Sequence, residues 1–237
     1  MKPLAIDLFC GLGGWTEGLL AHGYDVLGFD IERHVYGDHC YPAQLCLYDV
    51  LAIHGAMFKD AALIVASPPC QQYSYRAMPW ERAKALPPPD NSLFEACFRI
   101  QREASEAAGR KIPMVVENVR GAQKWVGRAN WHYGSFYLWG DVPALMPMTK
   151  GVAKVPGLNW SGSDKPGYVA KAFNDTAIKN NGGSWFNIGS PGQKETNRRT
   201  SSKSSARKMA SAMIAKIPLP LSTWIARAWW PATSEGV

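Results

Sequence analysis

The first thirty residues place a glycine-rich turn between strand and helix patterns, and this order restricts the fold more than any other feature. An apolar run at 4–9 predicts a buried strand, the glycines of 11–14 predict a turn, and 15–22 has a helical pattern. A second strand at 25–29 ends in Asp30. This arrangement suits a nucleoside cofactor, because glycines allow close backbone approach and the acid accepts hydrogen bonds from ribose hydroxyls. The sequence therefore predicts an α/β fold with a mostly parallel sheet.

A cysteine follows another buried strand, at the place where open α/β sheets hold their ligands. The apolar run 63–66 is ended by Pro68 and Pro69, which have no N–H to continue a ladder, and Cys70 comes next. The carboxyl ends of parallel strands form the ligand edge of such sheets. By spacing alone, Cys70 is either a nucleophile or a small buried hydrophobe.

Three short segments resemble, in order and spacing, the signature of DNA (cytosine-5) methyltransferases. They are Asp-Leu-Phe-Cys-Gly-Leu-Gly-Gly at 7–14, Pro-Pro-Cys-Gln at 68–71 and Glu-Asn-Val at 117–119. In that family they are the cofactor loop, the nucleophile loop and a strand end that carries an acid. The resemblance implies a Rossmann-like S-adenosylmethionine-dependent methyltransferase fold with a small irregular recognition region.

The resemblance also implies S-adenosylmethionine as the cofactor. Phe9, Gly11 and Gly13 would lie along it, Asp30 would bind its ribose, and Asp49 would accept a hydrogen bond from its adenine amino group. Taken alone, Asp49 fits an ordinary helix cap nearly as well. The residues expected around the cofactor are Asp7, Phe9, Gly11, Leu12, Gly13, Gly14, Asp30, Ile31, Asp49, Val50 and Pro68.

The chemistry of cytosine explains why a cysteine and an acid are needed. Carbon 5 is a poor nucleophile until a thiolate adds at carbon 6 and N3 receives a proton. On the resemblance, Cys70 is the nucleophile, Glu117 is the acid at N3, and Asn118 orients Glu117 or holds the loop. The target base must leave the stack, since carbons 5 and 6 are otherwise hidden.

Basic residues indicate a nucleic-acid partner. A net charge of +7 suits a polyanion, and loop 71–91 is long and irregular enough for a lid or binding loop. The family's Gln-Arg-x-Arg strand is missing, and a strand-like run at 133–140 without arginines stands in its place. A cationic run at 194–208 suits phosphate binding beside a base-modifying site. Taken alone, the same run also fits a solvated flexible loop. The residues expected to contact nucleic acid are Gln71, Ser74, Arg76, Arg120, Arg128, Arg198, Arg199 and Lys203.

The composition along the chain predicts three regions. Residues 1–140 form the catalytic, cofactor-binding domain, and 141–205, rich in Gly, Asn, Ser, Pro and Lys, form a short target recognition region. Residues 206–237 contain helices at 206–215 and 222–229 that return to the catalytic domain, as in the family's last motif.

The five cysteines indicate a reducing compartment, because their number is odd and no CxxC pair occurs. No apolar run reaches membrane-spanning length and no signal peptide is visible. We expect a cytoplasmic, monomeric enzyme of prokaryotic or viral origin that acts on double-stranded DNA without a metal, as in restriction-modification.

Three alternatives remain open from the sequence. The first is an RNA cytosine methyltransferase, since a related branch of the family acts on transfer RNA. The second is an inactive relative that only covers DNA, which the missing arginine strand and the altered last motif favour. The third is a changed donor, because Ile31 replaces an aromatic residue that the family often stacks on adenine. The intact Pro-Pro-Cys-Gln and Glu-Asn-Val segments favour active DNA methylation.

Overall fold

A seven-stranded sheet organises the chain, and the predicted α/β fold with a mostly parallel sheet is confirmed. The computed structural model describes residues 2–74, 87–146, 212 and 215–231. The strands are Leu4–Leu8 (β1), Asp25–Asp30 (β2), Val35–Tyr36 (β3), His39–Cys40 (β4), Gln44–Leu47 (β5), Ala61–Ala66 (β6), Met114–Asn118 (β7), Trp131–Tyr133 (β8) and Phe136–Gly140 (β9). The helices are Gly14–Ala21 (α1), Ser92–Ala108 (α2), Gln123–Val126 (α3) and Leu219–Ala228 (α4).

The sheet order is β5-β2-β1-β6-β7-β9-β8, and β3 pairs only with β4 in a separate hairpin. Strands β5, β2, β1, β6 and β7 are parallel, β9 is antiparallel to β7, and β8 is antiparallel to β9. The central strands are buried on both faces, which explains their nearly continuous apolar sequences. One face packs against α2 and the other against α1 and α4.

The C-terminal helix α4 lies directly on α1. A Cβ atom at Gly14 would overlap the backbone of Ile217, and one at Gly18 would overlap the backbone of Ser222. Glycines one helical turn apart therefore allow the two backbones to approach. Lys216 also pairs with Glu17. The last described residues are thus held against the first helix of the chain.

The crossover from β2 to β5 contains the β3–β4 hairpin where such parallel connections usually contain a helix. Tyr41, just after the hairpin, covers the sheet at Gly28, where a Cβ atom would overlap its ring. The Tyr41 hydroxyl lies 2.7 Å from Thr16 Oγ1 on α1. One tyrosine therefore closes the sheet where a helix would normally pack.

Two predicted elements differ from the structure. The run 133–140 is not one strand, because the chain turns at Gly134, with φ +59°, and forms the hairpin of β8 and β9. The last helix starts at Leu219, where Pro218 and Pro220 suit a helix start. The predicted helix 206–215 falls almost wholly outside the described residues. In the described ranges, no helix has both the length and the apolar character needed to cross a membrane.

Candidate active site

The segments singled out in the sequence meet at the carboxyl edge of the parallel strands. β1 leads into the glycine loop, β6 into the cysteine loop, and β7 ends in Glu117 and Asn118. These three strands are neighbours in the order β1-β6-β7. Their loops therefore share the edge where open α/β sheets bind ligands.

The glycine loop bends sharply after β1. Phe9 has φ 57°, a left-handed conformation that is uncommon for residues other than glycine. Gly11 has φ 50° and its N–H donates to Asp30 Oδ2 over 2.9 Å. A Cβ atom at Gly11 would have no atom within 4 Å, whereas one at Gly13 would overlap Pro42. Of these two glycines, Gly11 faces open space and Gly13 packs against the crossover from β2 to β5.

Asp30 at the end of β2 is held as an ionised carboxylate. Burial raises its pKa, but hydrogen bonds from His34 and from the N–H groups of Gly11 and Glu32 outweigh burial, so the pKa lies below the ordinary value. His34 Nε2 lies 3.6 Å from Asp30 Oδ1. This acid is therefore a strong acceptor next to the open glycine.

Asp7 lies beneath the glycine loop, fully buried. Its Oδ2 accepts a hydrogen bond of 2.6 Å from Thr16, and its Oδ1 has no hydrogen-bond partner in the described part of the chain. Burial raises the pKa of Asp7 to about 7, the Asp30 charge adds to the rise, and the Thr16 bond opposes it. In this position Asp7 supports the loop from below.

The remaining residues expected at the cofactor divide by exposure. Ile31 is 74% exposed, whereas Leu12 and Val50 are buried. Asp49 Oδ1 accepts from Leu51 N over 2.9 Å, which is the helix-cap role considered from sequence. Gly14 packs against the C-terminal segment, as described above. An acid beside open backbone at Gly11, with exposed apolar surface at Ile31, fits a nucleoside cofactor.

The cysteine loop is fixed at several points. Cys70 is half-buried and precedes a short 3₁₀ turn, and Ser74 Oγ donates to its carbonyl oxygen over 2.9 Å. The buried Tyr73 donates its hydroxyl to Asn91 Oδ1 over 2.8 Å. Pro68 is tied to β7, because Asn118 Nδ2 donates to its carbonyl oxygen over 2.9 Å. The cysteine is therefore presented by an ordered turn.

Glu117 and Asn118 are 8% and 1% exposed. Asn118 uses both ends of its amide, since Oδ1 accepts from Val119 N over 2.8 Å. β7 is held by β6 on one side and by β9 on the other. The Glu-Asn pair is thus rigid, and its asparagine contacts the cysteine loop.

The residues expected to contact nucleic acid are only partly described. Gln71 is exposed at the cysteine loop, Arg120 follows β7, and Arg128 precedes β8, both exposed. Arg76, Arg198, Arg199 and Lys203 lie outside the described residues.

Sequence reasoning missed several supporting side chains. Thr16 and Tyr41 form the network around Asp7, His34 approaches Asp30, and Trp15 Nε1 donates to Ser67 Oγ over 3.0 Å. No local pattern marks them, because their partners come together only in the fold. Among the described residues, no group of three or more His, Cys, Asp or Glu could hold a metal ion.

Three solved structures are similar to part of this chain. A DNA modification methyltransferase encoded within an E. coli prophage is 24% identical, with a TM-score of 0.37, over 53% of this chain and 34% of its own. The S. pombe Dnmt2 methyltransferase is 16% identical, with a TM-score of 0.35, over 52% and 36%. A Spodoptera frugiperda DNMT2 mutant is 19% identical, also at 0.35, over 52% and 37%. The match thus spans about a third of each of these chains.

Among curated proteins, none matches the sequence significantly. The family assignment has a different basis, a family model described as C-5 cytosine-specific DNA methylase, which matches residues 4–126. The match contains the glycine loop, the cysteine loop and the Glu-Asn strand end, and it extends over more than half of the 237 residues. The chain therefore belongs to the C-5 cytosine-specific DNA methylase family.

Proposed function

We propose that this protein methylates carbon 5 of cytosine in DNA and that Cys70 is its nucleophile. The observation that carries the proposal is the 2.9 Å hydrogen bond from Asn118 Nδ2 to the Pro68 carbonyl oxygen. It fastens the cysteine loop to the strand that ends in Glu117. A nucleophile and an acid on adjoining strand ends are what addition to a cytosine ring requires.

The residues at the ends of β1, β2 and β5 would hold S-adenosylmethionine. Asp30 would accept hydrogen bonds from ribose hydroxyls, the open backbone at Gly11 would lie along the cofactor, and Ile31 would cover one face of adenine. When bound, S-adenosylmethionine supplies the methyl group that carbon 5 accepts. Asp49 caps the short 3₁₀ turn Val50–Ala52 with Oδ1, and its other carboxylate oxygen would accept a hydrogen bond from the adenine amino group.

The side chains of this chain would perform the remaining steps. The Cys70 thiolate forms a bond to carbon 6, Glu117 gives a proton to N3, and the electron pair of the carbon 5–carbon 6 double bond becomes available at carbon 5. After carbon 5 is methylated, its proton leaves to water. The sulfur–carbon 6 bond then breaks, the double bond forms again, and the N3 proton returns to Glu117.

Access to the base sets the remaining requirements. The target cytosine leaves the stack at a cost of roughly a few kcal/mol in a duplex. We assign the segment 71–91 to closing over it. Residues 141–205 would supply a short recognition region, in which Arg198, Arg199 and Lys203 bind phosphates. Residues 206–237 would return to the catalytic domain.

Nucleoside mass spectrometry tests the proposal. DNA and, separately, structured RNA are incubated with the protein and S-adenosylmethionine. The matched variants are Cys70→Ala and Cys40→Ala, since Cys40 is an exposed cysteine on β4. We expect 5-methylcytosine in DNA from the wild type and Cys40→Ala, and none from Cys70→Ala. Product in RNA alone would assign the activity to RNA. Product from Cys70→Ala would rule out Cys70 as the nucleophile.

A further inference from the structure

Beyond Asn118, the sheet carries two side chains on β9 and β8 that the proposed reaction does not use. Asn118 on β7 pairs with Tyr137 on β9, and Tyr137 pairs with His132 on β8. Paired residues project from the same face of a sheet. Neighbouring strands lie about 4.8 Å apart, so β8 is roughly 10 Å from β7. These three residues therefore form a row that begins at the residue that holds the cysteine loop and ends at the last strand of the described sheet.

The outer part of this row is a pair of stacked rings. His132 and Tyr137 have ring centroids 5.0 Å apart and planes inclined by 19°. His132 is exposed and Tyr137 is half-buried. We call these two residues the stacking ledge. A flat ring that is supported on one side and exposed to solvent is suited to stacking against a nucleobase.

The sequence next to the ledge is basic, which suits a polyanionic partner. Residues 120–140 contain three basic side chains, Arg120, Lys124 and Arg128, and no acidic one. Within the described ranges, none of the three forms a salt bridge. Lys124 instead lies over the Trp125 ring, 4.5 Å from its centroid. Basic side chains interleaved with aromatic rings are typical of surfaces that bind single-stranded nucleic acid.

We propose that the stacking ledge binds an unpaired base in the strand that carries the target cytosine. This inference rests on the proposed function and adds a substrate class to it. The ledge lies level with Asn118, at the carboxyl end of β7 where the cysteine loop is held. Glu117 pairs with Leu138 and projects from the other face, so the base on the ledge is a neighbour of the target cytosine and not the target itself. Since pairing keeps bases inside the duplex, this contact favours DNA that is unpaired or opened beside the cytosine.

A fluorescent base tests the contact directly. The probes are single-stranded DNAs with one cytosine and a 2-aminopurine one, two or three positions away, whose fluorescence is quenched on stacking. The full chain is titrated as wild type, His132→Ala, His132→Phe and Trp131→Ala. Trp131 is the matched control, because it is exposed on the same strand but pairs with Leu138 and so projects from the opposite face.

We expect His132→Ala to raise the Kd about tenfold and to remove the quenching, because a stacked base contributes on this scale. His132→Phe should restore both, since it keeps a flat ring. Restoration also separates stacking from a turn-holding role, because His132 Nδ1 lies 3.3 Å from the Gly134 carbonyl oxygen and phenylalanine cannot replace that contact. Trp131→Ala should change the Kd by less than about twofold.

Equal affinities for wild type and His132→Ala would overturn the proposal that the stacking ledge binds a base. Equal losses of affinity in His132→Ala and Trp131→Ala would overturn it as well. The methylation assay on the same preparations keeps the two proposals distinguishable. If the wild type methylates DNA and His132→Ala binds the probes normally, only the proposal for the stacking ledge is refuted. A wild type that neither methylates nor binds any nucleic acid would refute both.

Discussion

Trp15 Nε1 donates a hydrogen bond of 3.0 Å to Ser67 Oγ. Trp15 lies in the first turn of α1, which follows the glycine loop, and Ser67 stands between β6 and the Pro-Pro-Cys-Gln segment. The bond joins the proposed cofactor loop to the proposed nucleophile loop across 52 residues of sequence. Together with the Asn118–Pro68 bond, it holds the cysteine loop from α1 on one side and from β7 on the other.

We predict a measurable coupling between Trp15 and Ser67. Trp15→Phe and Ser67→Ala each remove one partner, and their double-mutant cycle isolates the bond. A typical intramolecular hydrogen bond contributes about 1 kcal/mol, so the coupling free energy from urea unfolding should be close to that. Strictly additive effects would mean that the bond is not formed in solution.

Gly18→Ala should destabilise the protein, although alanine has a higher helix propensity than glycine. Alanine in place of a helical glycine normally stabilises by about 1 kcal/mol. Here the added Cβ atom would overlap the Ser222 backbone on α4, and overpacking typically costs about 1–3 kcal/mol. The control is Ala21→Gly on the exposed side of α1, which should show only the propensity loss. A higher melting temperature for Gly18→Ala would show that α4 does not lie on α1.

Asp7 should make the free energy of unfolding depend on pH, with stability lost as pH rises. Burial raises its pKa to about 7 in the folded protein, compared with 3.8 for an ordinary aspartate. The folded state therefore binds the extra proton between these values, and this group's contribution makes the free energy of unfolding fall as pH rises from about 4 to about 7. At 1.36 kcal/mol per pKa unit, the whole contribution is about 4 kcal/mol.

Asp7→Asn should remove that contribution, so the variant gains stability relative to wild type as pH rises through this window. Urea unfolding at several pH values checks it, with the exposed Asp25→Asn as the matched control. A constant difference between Asp7→Asn and wild type from pH 5 to pH 8 would show that Asp7 titrates normally.

The cysteines should differ in reactivity with an alkylating reagent. Burial raises the pKa of the thiols of Cys10 and Cys97, with the charges of Asp7 and Asp30 adding to it for Cys10, and only a thiolate reacts. Cys40 is exposed. Peptide mass spectrometry on native protein at pH 8 should find Cys40 alkylated, with Cys10 and Cys97 modified only after unfolding. Equal labelling of Cys97 and Cys40 in the native state would contradict the buried position of Cys97.

The sequence predicted the strands best where burial on both faces makes them continuously apolar, as in β6 and β7. A cap at Asp90 or Asn91 also predicts a helix over 92–108, and α2 has these bounds. Asp90 Oδ1 accepts from Ser92 N over 2.8 Å, and Gly109 has the left-handed φ of 62° that ends many helices. Local chemistry defines such boundaries without help from the rest of the fold.

Features that depend on distant contacts could not be predicted in the same way. The run Tyr133–Gly134–Ser135–Phe136 reads as one strand, yet pairing of its two sides with each other turns it into a hairpin. Tyr41 lies 25 residues from Thr16 in sequence, and no local pattern indicates that its hydroxyl contacts Thr16 beside Asp7. Asp7, Gly13 and Gly14 stay predicted beside the cofactor, and the fold adds that each also has a neighbour within the protein, which no local pattern indicates.

Capture of the covalent adduct tests the central claim most directly. In DNA that carries 5-fluorocytosine, carbon 5 has no proton to lose after methylation, so the sulfur–carbon 6 bond persists. With S-adenosylmethionine present, we predict an adduct of intact mass equal to protein plus methylated oligonucleotide, with the modification mapped to the peptide that contains Cys70. The adduct should form with Cys40→Ala and not with Cys70→Ala. An adduct on another cysteine, or methylated DNA that never becomes attached to the protein, would contradict the account.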